Sequence, residues 1–243
     1  IQNAWRKRDV LNATEYATLM NEGSLNAGTG LKYADPYSYG RGTDWQDEIF
    51  NDNAPVQSHQ LSLSGQSGRN SYFISASYYD QEGIIGGNFD RSNYERFTLR
   101  FNDIYTLFDK SGSRSWLNKL MLTTNMSYAR TLTRGIQTNS EYGSPLGSAI
   151  TLSPILNVYA DDEAALQEQY SGYNLIRDKK NGRLYSIPGS DYNEMSNPLA
   201  DLSLPGAKYN YDRFLTNFDA ELTLWEGLKF KSAVGIDLSL IHI

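Results

Sequence analysis

Runs of strict alternation about 9 to 13 residues long constrain this chain more than any other feature. Residues 71–83 read S-Y-F-I-S-A-S-Y-Y-D-Q-E-G. Extended, they put Tyr72, Ile74, Ala76 and Tyr78 on one face and Phe73, Ser75, Ser77 and Tyr79 on the other. Residues 94–103 repeat the device, with Phe97, Leu99 and Phe101 opposed to Arg96, Thr98, Arg100 and Asn102. Further runs place Leu120, Leu122, Met126 and Tyr128 against Thr123, Asn125 and Ser127, then Phe214, Phe218, Leu222 and Leu224 against Asn217, Asp219 and Glu221. In the last, Leu228, Phe230, Val234, Ile236 and Leu238 oppose Lys229, Lys231 and Asp237. Strands of soluble domains average roughly 5 or 6 residues, whereas a tilted strand crossing a bilayer needs about 9 to 11. Length therefore favours lipid on the apolar face and a watery lumen on the face carrying Arg96 and Arg100. A soluble carbohydrate-binding β-sandwich is the alternative, and a glycoside hydrolase stands behind it.

The remaining composition removes whole classes of function. No run of 18 apolar residues exists, so a membrane-spanning helix is excluded, and any contact with lipid is made by strands. There is no cysteine, hence no disulfide scaffold and no thiol chemistry. With only His59 and His242, a histidine metal centre has too few ligands, and no cofactor or metal is expected. A net charge of −6 without a Lys/Arg run speaks against nucleic acid. Eighteen tyrosines suit a sheet with one wet and one apolar face, and equally a sugar-binding surface. The text opens on Ile1 inside polar sequence, with no signal pattern, and so reads as an internal piece of a longer protein.

Between the runs, the connections alternate in length: short at 65–70, longer at 81–93, moderate at 104–116, very long at 131–212 and short at 225–227. Outer-membrane barrels alternate short periplasmic turns with longer external loops, and only the moderate connection fits loosely. One helix is signalled near the start, where Asn12 caps and Glu15 completes a capping box; Tyr16, Leu19 and Met20 share a face and Gly23 is the expected end. Residues 24–57 read as one long ordered loop. The expected organisation is an external region at 1–57, barrel strands at 58–130, a long external loop at 131–212, a barrel hairpin at 213–240 and a tail at 241–243 that reads as non-native. The fold class is all-β: a fragment of about six strands from an antiparallel transmembrane β-barrel, with long extracellular loops and one short N-terminal helix.

Four blocks in order carry a family resemblance: G-T-D-W-Q-D-E-I-F at 42–50, A-P-V-Q-S-H-Q-L-S-L-S-G at 54–65, S-Y-F-I-S-A-S-Y-Y-D-Q-E-G-I-I at 71–85 and Y-E-R-F-T-L-R-F-N at 94–102. They resemble the SusC/RagA family of TonB-linked outer-membrane transporters. The stretch at 10–22 is similar to the family's text after its plug domain, with weaker similarity at 153–159 and 227–235. The resemblance implies a 22-stranded barrel with an N-terminal plug, and a drive through the TonB complex. It also implies a SusD-like surface lipoprotein closing the mouth, and import of oligosaccharides or peptides without bond cleavage. The TonB box, the plug and most of the barrel are not in this text, so transport is expected only of the longer protein.

Several chemistry-bearing clusters also have simpler roles open to them. Asp44, Asp47 and Glu48 beside Trp45 have the ingredients of a glycosidase pair, but solvated loop carboxylates are far commoner and the family resembled is not enzymatic. Asp161, Asp162 and Glu163 offer oxygen ligands for calcium, yet the A-A-L-Q-E-Q-Y that follows reads as a helix begun by acidic residues. Gly28–Gly30 and Gly40–Gly42 lack the rest of a dinucleotide fingerprint. The expected substrate contacts are aromatic: Trp45, Tyr142, Tyr159, Tyr173 and Tyr185, whose rings can stack on sugars, against the simpler role of packing the loops.

Overall fold

The computed structural model describes residues 1–110, 112–113, 115–137, 143–192 and 195–242. Six antiparallel strands form one sheet in sequence order: β1 (Val56–Ser67), β2 (Asn70–Glu82), β3 (Asn93–Asp109), β4 (Lys119–Arg134), β5 (Lys208–Trp225) and β6 (Leu228–His242). The sheet is not closed, and β1 and β6 are its edges. The strands, at 12 to 18 residues, are as long as the alternating runs or longer. β4 and β5 run beyond the ends that periodicity marks, because Thr131, Thr133, Tyr209 and Tyr211 keep pairing after apolar alternation has stopped.

Register aligns the apolar positions into one face. Leu99 stands opposite Tyr128, and Phe101 opposite Met126. Tyr128 then faces Phe214, which faces Leu238, and two rows over Phe218 faces Val234. Among the described residues no second sheet covers this face: Phe97 is 41% exposed, Phe218 46% and Val234 59%. A soluble sandwich would bury these side chains against a partner layer. The opposite face is polar and cross-paired. Arg213 grips Asp237 through two nitrogens at 3.1 and 2.7 Å, Lys229 meets Glu221 at 2.7 Å and Lys231 approaches Asp219 at 3.7 Å. Among the described residues no helix is long and apolar enough to cross a membrane.

The strands and their tight turns make one compact unit; residues 1–54, 82–92 and 135–206 make the other. These three segments join the sheet at alternate strand ends, opposite the connections at 68–69, 110–118 and 226–227. They contain α1 (Ala13–Asn26), α2 (Trp45–Ile49), α3 (Pro145–Thr151), α4 (Glu163–Gln169) and α5 (Pro198–Ser203). The capping box of Asn12 and Glu15 is present in α1. Gly23 does not end the helix, which continues to Asn26, and Leu19 lies exposed; Ala13, Ala17 and Asn21 are the buried positions. The small stripe wins because Asn21 is the anchor. Its amide donates to the carbonyl of Tyr33 and accepts from the backbone of Lys32 and Tyr33, folding the following loop back onto the helix.

The segment at 24–57, expected as loop throughout, holds α2, and the 131–212 connection holds three helices. Their core unites Trp45, Ile49, Ala149, Leu152, Tyr185, Leu199, Ala200 and Leu202. The connections are thus a domain with its own core, assembled from three pieces of chain. Gly42 makes one of the joins. Its φ is +68°, and a Cβ there would stand 2.3 Å from the Pro154 carbonyl oxygen and 2.5 Å from the Ala13 Cβ, so only glycine admits the approach.

Candidate functional site

Two adjoining clefts in this second unit share Tyr185 as a wall. The first, about 560 Å³, is lined by Glu48, Phe89, Tyr159, Asp178, Lys180 and Tyr185. It is built on a local turn. Asp178 accepts from the Lys180 amide at 2.8 Å, Gly182 at φ +76° closes the bend, and Arg177 bridges to Leu184. Tyr185 then bridges to Tyr159, and their rings stack with centroids 5.4 Å apart and planes at 18°. The guanidinium of Arg183 lies 4.4 Å over the Tyr159 ring. The Tyr159 hydroxyl donates to Asp178 at 2.6 Å and accepts from Asn181 at 2.9 Å.

Electrostatics follow this wiring. Burial, then the hydrogen bond to Asp178, pushes the Tyr159 hydroxyl up, while that same bond, with the Lys180 amide, holds Asp178 below the usual carboxylate range. Burial raises Tyr185 to about 12. Glu48 is also raised, by burial and by the neighbouring charges of Asp47 and Asp44.

The second cleft, about 530 Å³, is mainly apolar, with Tyr173, Leu175, Ile176, Ile187 and Met195 among its walls. Among the described residues its one charged lining residue is Asp201, a carboxyl that burial raises while the Ser196 hydroxyl donates to it. Asn197 fixes the wall. Its amide donates to the Val158 carbonyl at 2.9 Å and the Ser186 carbonyl at 3.2 Å, and its oxygen caps α5 at Leu199.

The five aromatics expected to meet substrate therefore have different placements. Trp45 is 2% exposed, and its indole donates to the Ser153 carbonyl at 3.1 Å; it is a core residue, which corrects the expectation of a stacking surface. Tyr159 and Tyr185 come together at the first cleft, but they stack on each other, and Tyr185 is only 4% exposed. Tyr173 is 75% exposed beside Tyr170 at the second cleft. Tyr142 lies outside the described residues.

The acidic clusters have structural duties. Asp44 caps α2, Asp47 pairs with Lys7, and Glu48 lines the first cleft together with Asp90 and Asp178. Asp162 caps α4, Glu163 accepts from Arg177 at 2.8 Å and from the Leu184 amide at 2.9 Å, and Asp161 accepts from Asn157. Sequence reading missed Asp178, Arg183, Asn197 and Asp201. The D-K-K-N-G turn at 178–182 and the Asn-Pro pair opening α5 were the available signals.

No family model matches the chain. It is 26% identical over 233 residues to TonB-dependent receptor P3 of Formosa agariphila, a match covering 93% of this chain and 19% of that protein. It is 27% identical over 223 residues to TonB-dependent receptor SusC of Bacteroides thetaiotaomicron, covering 89% and 19%. Among solved structures, the RagAB peptide importer in its closed-closed state superposes with a TM-score of 0.61 at 19% identity, covering 95% of this chain and 26% of that one. The RagAB peptide transporter gives 0.56 at 20%, covering 92% and 22%. The chain spans about a fifth of the length of the curated relatives it matches. The resemblance first read in the blocks at 42–102 thus extends along nearly the whole chain: its sequence is similar to TonB-dependent receptors, SusC among them, and its open six-stranded sheet has the fold of part of the RagAB structures.

Proposed function

We propose that this chain is part of a TonB-dependent outer-membrane importer. In this reading the apolar face of β1–β6 meets lipid, the face carrying Arg96, Arg100 and the Arg213–Asp237 pair lines the lumen, and the second unit lies outside the cell. The single observation that carries the reading is the uncovered apolar face running from β2 to β6 on strands long enough to cross a bilayer. Cargo, an oligosaccharide or a peptide, is captured at the clefts bordered by Tyr159, Tyr173 and Tyr185, under a SusD-like lipoprotein, and is released inward when TonB pulls on the plug.

The test is deletion of the gene in its native host, followed by growth on defined oligosaccharides or peptides as sole carbon source. Surface biotinylation of a cysteine placed at Tyr173 should accompany it. Loss of growth on one cargo class, with labelling of intact cells, is expected. Normal growth on every class, or a cysteine reached only after lysis, overturns the reading.

A further inference from the structure

The second cleft carries a chemical preference that its shape alone does not give. Six of its walls, Leu175, Ile176, Ile187, Pro188, Met195 and Ala200, are apolar and aliphatic in character, and Tyr170 and Tyr173 flank the opening with their rings edge to face at 79°. Sugars are held by broad ring platforms with many polar groups around them. Here the Tyr159 platform is already occupied by Tyr185 and Arg183, and the Trp45 ring is in the core. What remains suits a narrow apolar stem.

Among the described residues, the one charged side chain in the lining is negative. Asp201 sits half-buried on α5, its carboxylate held by the Ser196 hydroxyl; Arg91, outside the lining, donates to the Asp201 backbone carbonyl and offsets part of the charge, and among the described residues no lysine or arginine lines the cleft itself. A carboxylate drawn partly out of water is stabilised by a cation that brings its own hydrogen-bond donors. A lysine or arginine side chain supplies both requirements: methylenes for the aliphatic walls and a charged head for the acid. Resting on the importer reading, we infer that the second cleft is a subsite for a basic side chain of a peptide cargo, with Ile176, Ile187 and Met195 receiving the stem and Asp201 the cationic head. The raised Asp201 carboxyl agrees with this, because an arriving cation relieves the cost of its burial.

The experiment is calorimetric titration of the intact importer, with its lipoprotein partner, in detergent. The probes are Ala-Ala-Lys-Ala-Ala, the same peptide with norleucine in place of lysine, and a glucosamine oligomer. The lysine peptide should bind about tenfold tighter than the norleucine peptide, a difference typical of a charge-assisted hydrogen bond. Asp201→Asn, which keeps the Ser196 contact, should bring the two peptides within about twofold of each other. Equal binding of both peptides by the unaltered protein overturns the inference whatever the variant does. So does a preference that survives Asp201→Asn, or tighter binding of the glucosamine oligomer. The importer reading is judged separately, by surface labelling and growth, and stands if only the lysine preference fails.

Discussion

Replacing Phe218 by arginine tests which solvent each face of the sheet meets. On β5 the apolar positions run from Phe214 to Leu224, ten residues apart, or about 34 Å along an antiparallel strand. Tilted by about 40°, that stretch rises about 26 Å, close to the height of an outer-membrane apolar band. Phe218 lies near its middle and faces Thr124 and Val234 across the neighbouring strands. An arginine at mid-depth costs about 2–4 kcal/mol. The phenyl surface no longer given to lipid adds about 1.5–3 kcal/mol, for a total of roughly 3.5–7 kcal/mol. Asn217→Arg, one residue away on the polar face and opposite Gly235, has a watery lumen to enter and should cost less than about 1 kcal/mol. Urea unfolding of the intact barrel refolded into short-chain phosphatidylcholine vesicles, followed by tryptophan fluorescence, measures both. Equal costs, or a larger cost for Asn217→Arg, would show that the faces have been assigned to the wrong solvents.

Three further outcomes follow from the second unit. Asn197→Ala should cost roughly 2–4 kcal/mol, because it removes a helix cap and leaves the Val158 and Ser186 carbonyls short of a donor; proteolysis of the 186–206 region under native conditions would register it, and unchanged cleavage rates would count against the clamp. Gly42→Ala should destabilise by more than about 2 kcal/mol, since it combines a left-handed backbone with contact against Pro154 and Ala13, and hydrogen exchange at the Thr43 amide, bonded to Pro154 at 2.8 Å, is the local probe. The turn at 177–184 should be acid-sensitive. Asp178 and Glu163 are both held below their ordinary values of 3.8 and 4.5, so their contribution is complete above those values and disappears as pH falls through the lower folded-state ones. The exchange protection of the Lys180 and Leu184 amides, relative to the intrinsic rate at each pH, should fall below about pH 4 and stay constant from 5 to 8. Flat protection down to pH 2 would refute the role of those bonds. Asp201 and Glu48, raised by burial, work in the opposite sense and lie on other elements.

The sheet was legible because its signal is local: alternation in Tyr94 to Asp103 or Leu228 to Leu238 needs only neighbouring residues to be seen. The capping box of α1 was legible for the same reason. Helices of five to seven residues, such as α2 and α3, are too short to nucleate alone and show almost no period, so tertiary packing decides them. Ser144-Pro145 and Asn197-Pro198 nevertheless mark two of their starts. The clefts were harder still. Counting aromatics singled out Tyr159 and Tyr185, but which ring faces remain free depends on Arg183 and on a bridge between residues 26 apart. Trp45 shows the converse: its neighbours in sequence are acidic and polar, whereas the groups that enclose it come from 149–202.

That last arrangement has a consequence for how the protein is made. The bond from Trp45 to Ser153 spans 108 residues, and the link from Arg91 to Asp201 spans 110. Four strands lie between the first pair and two between the second, so neither contact can form until all of the intervening chain has been made. Long closures of this kind are slow, and they gain nothing from partial completion. The core of Ile49, Leu152 and Leu202 is therefore among the last parts of its unit to close, and until the distant segments meet, those side chains stay open to solvent and to proteases.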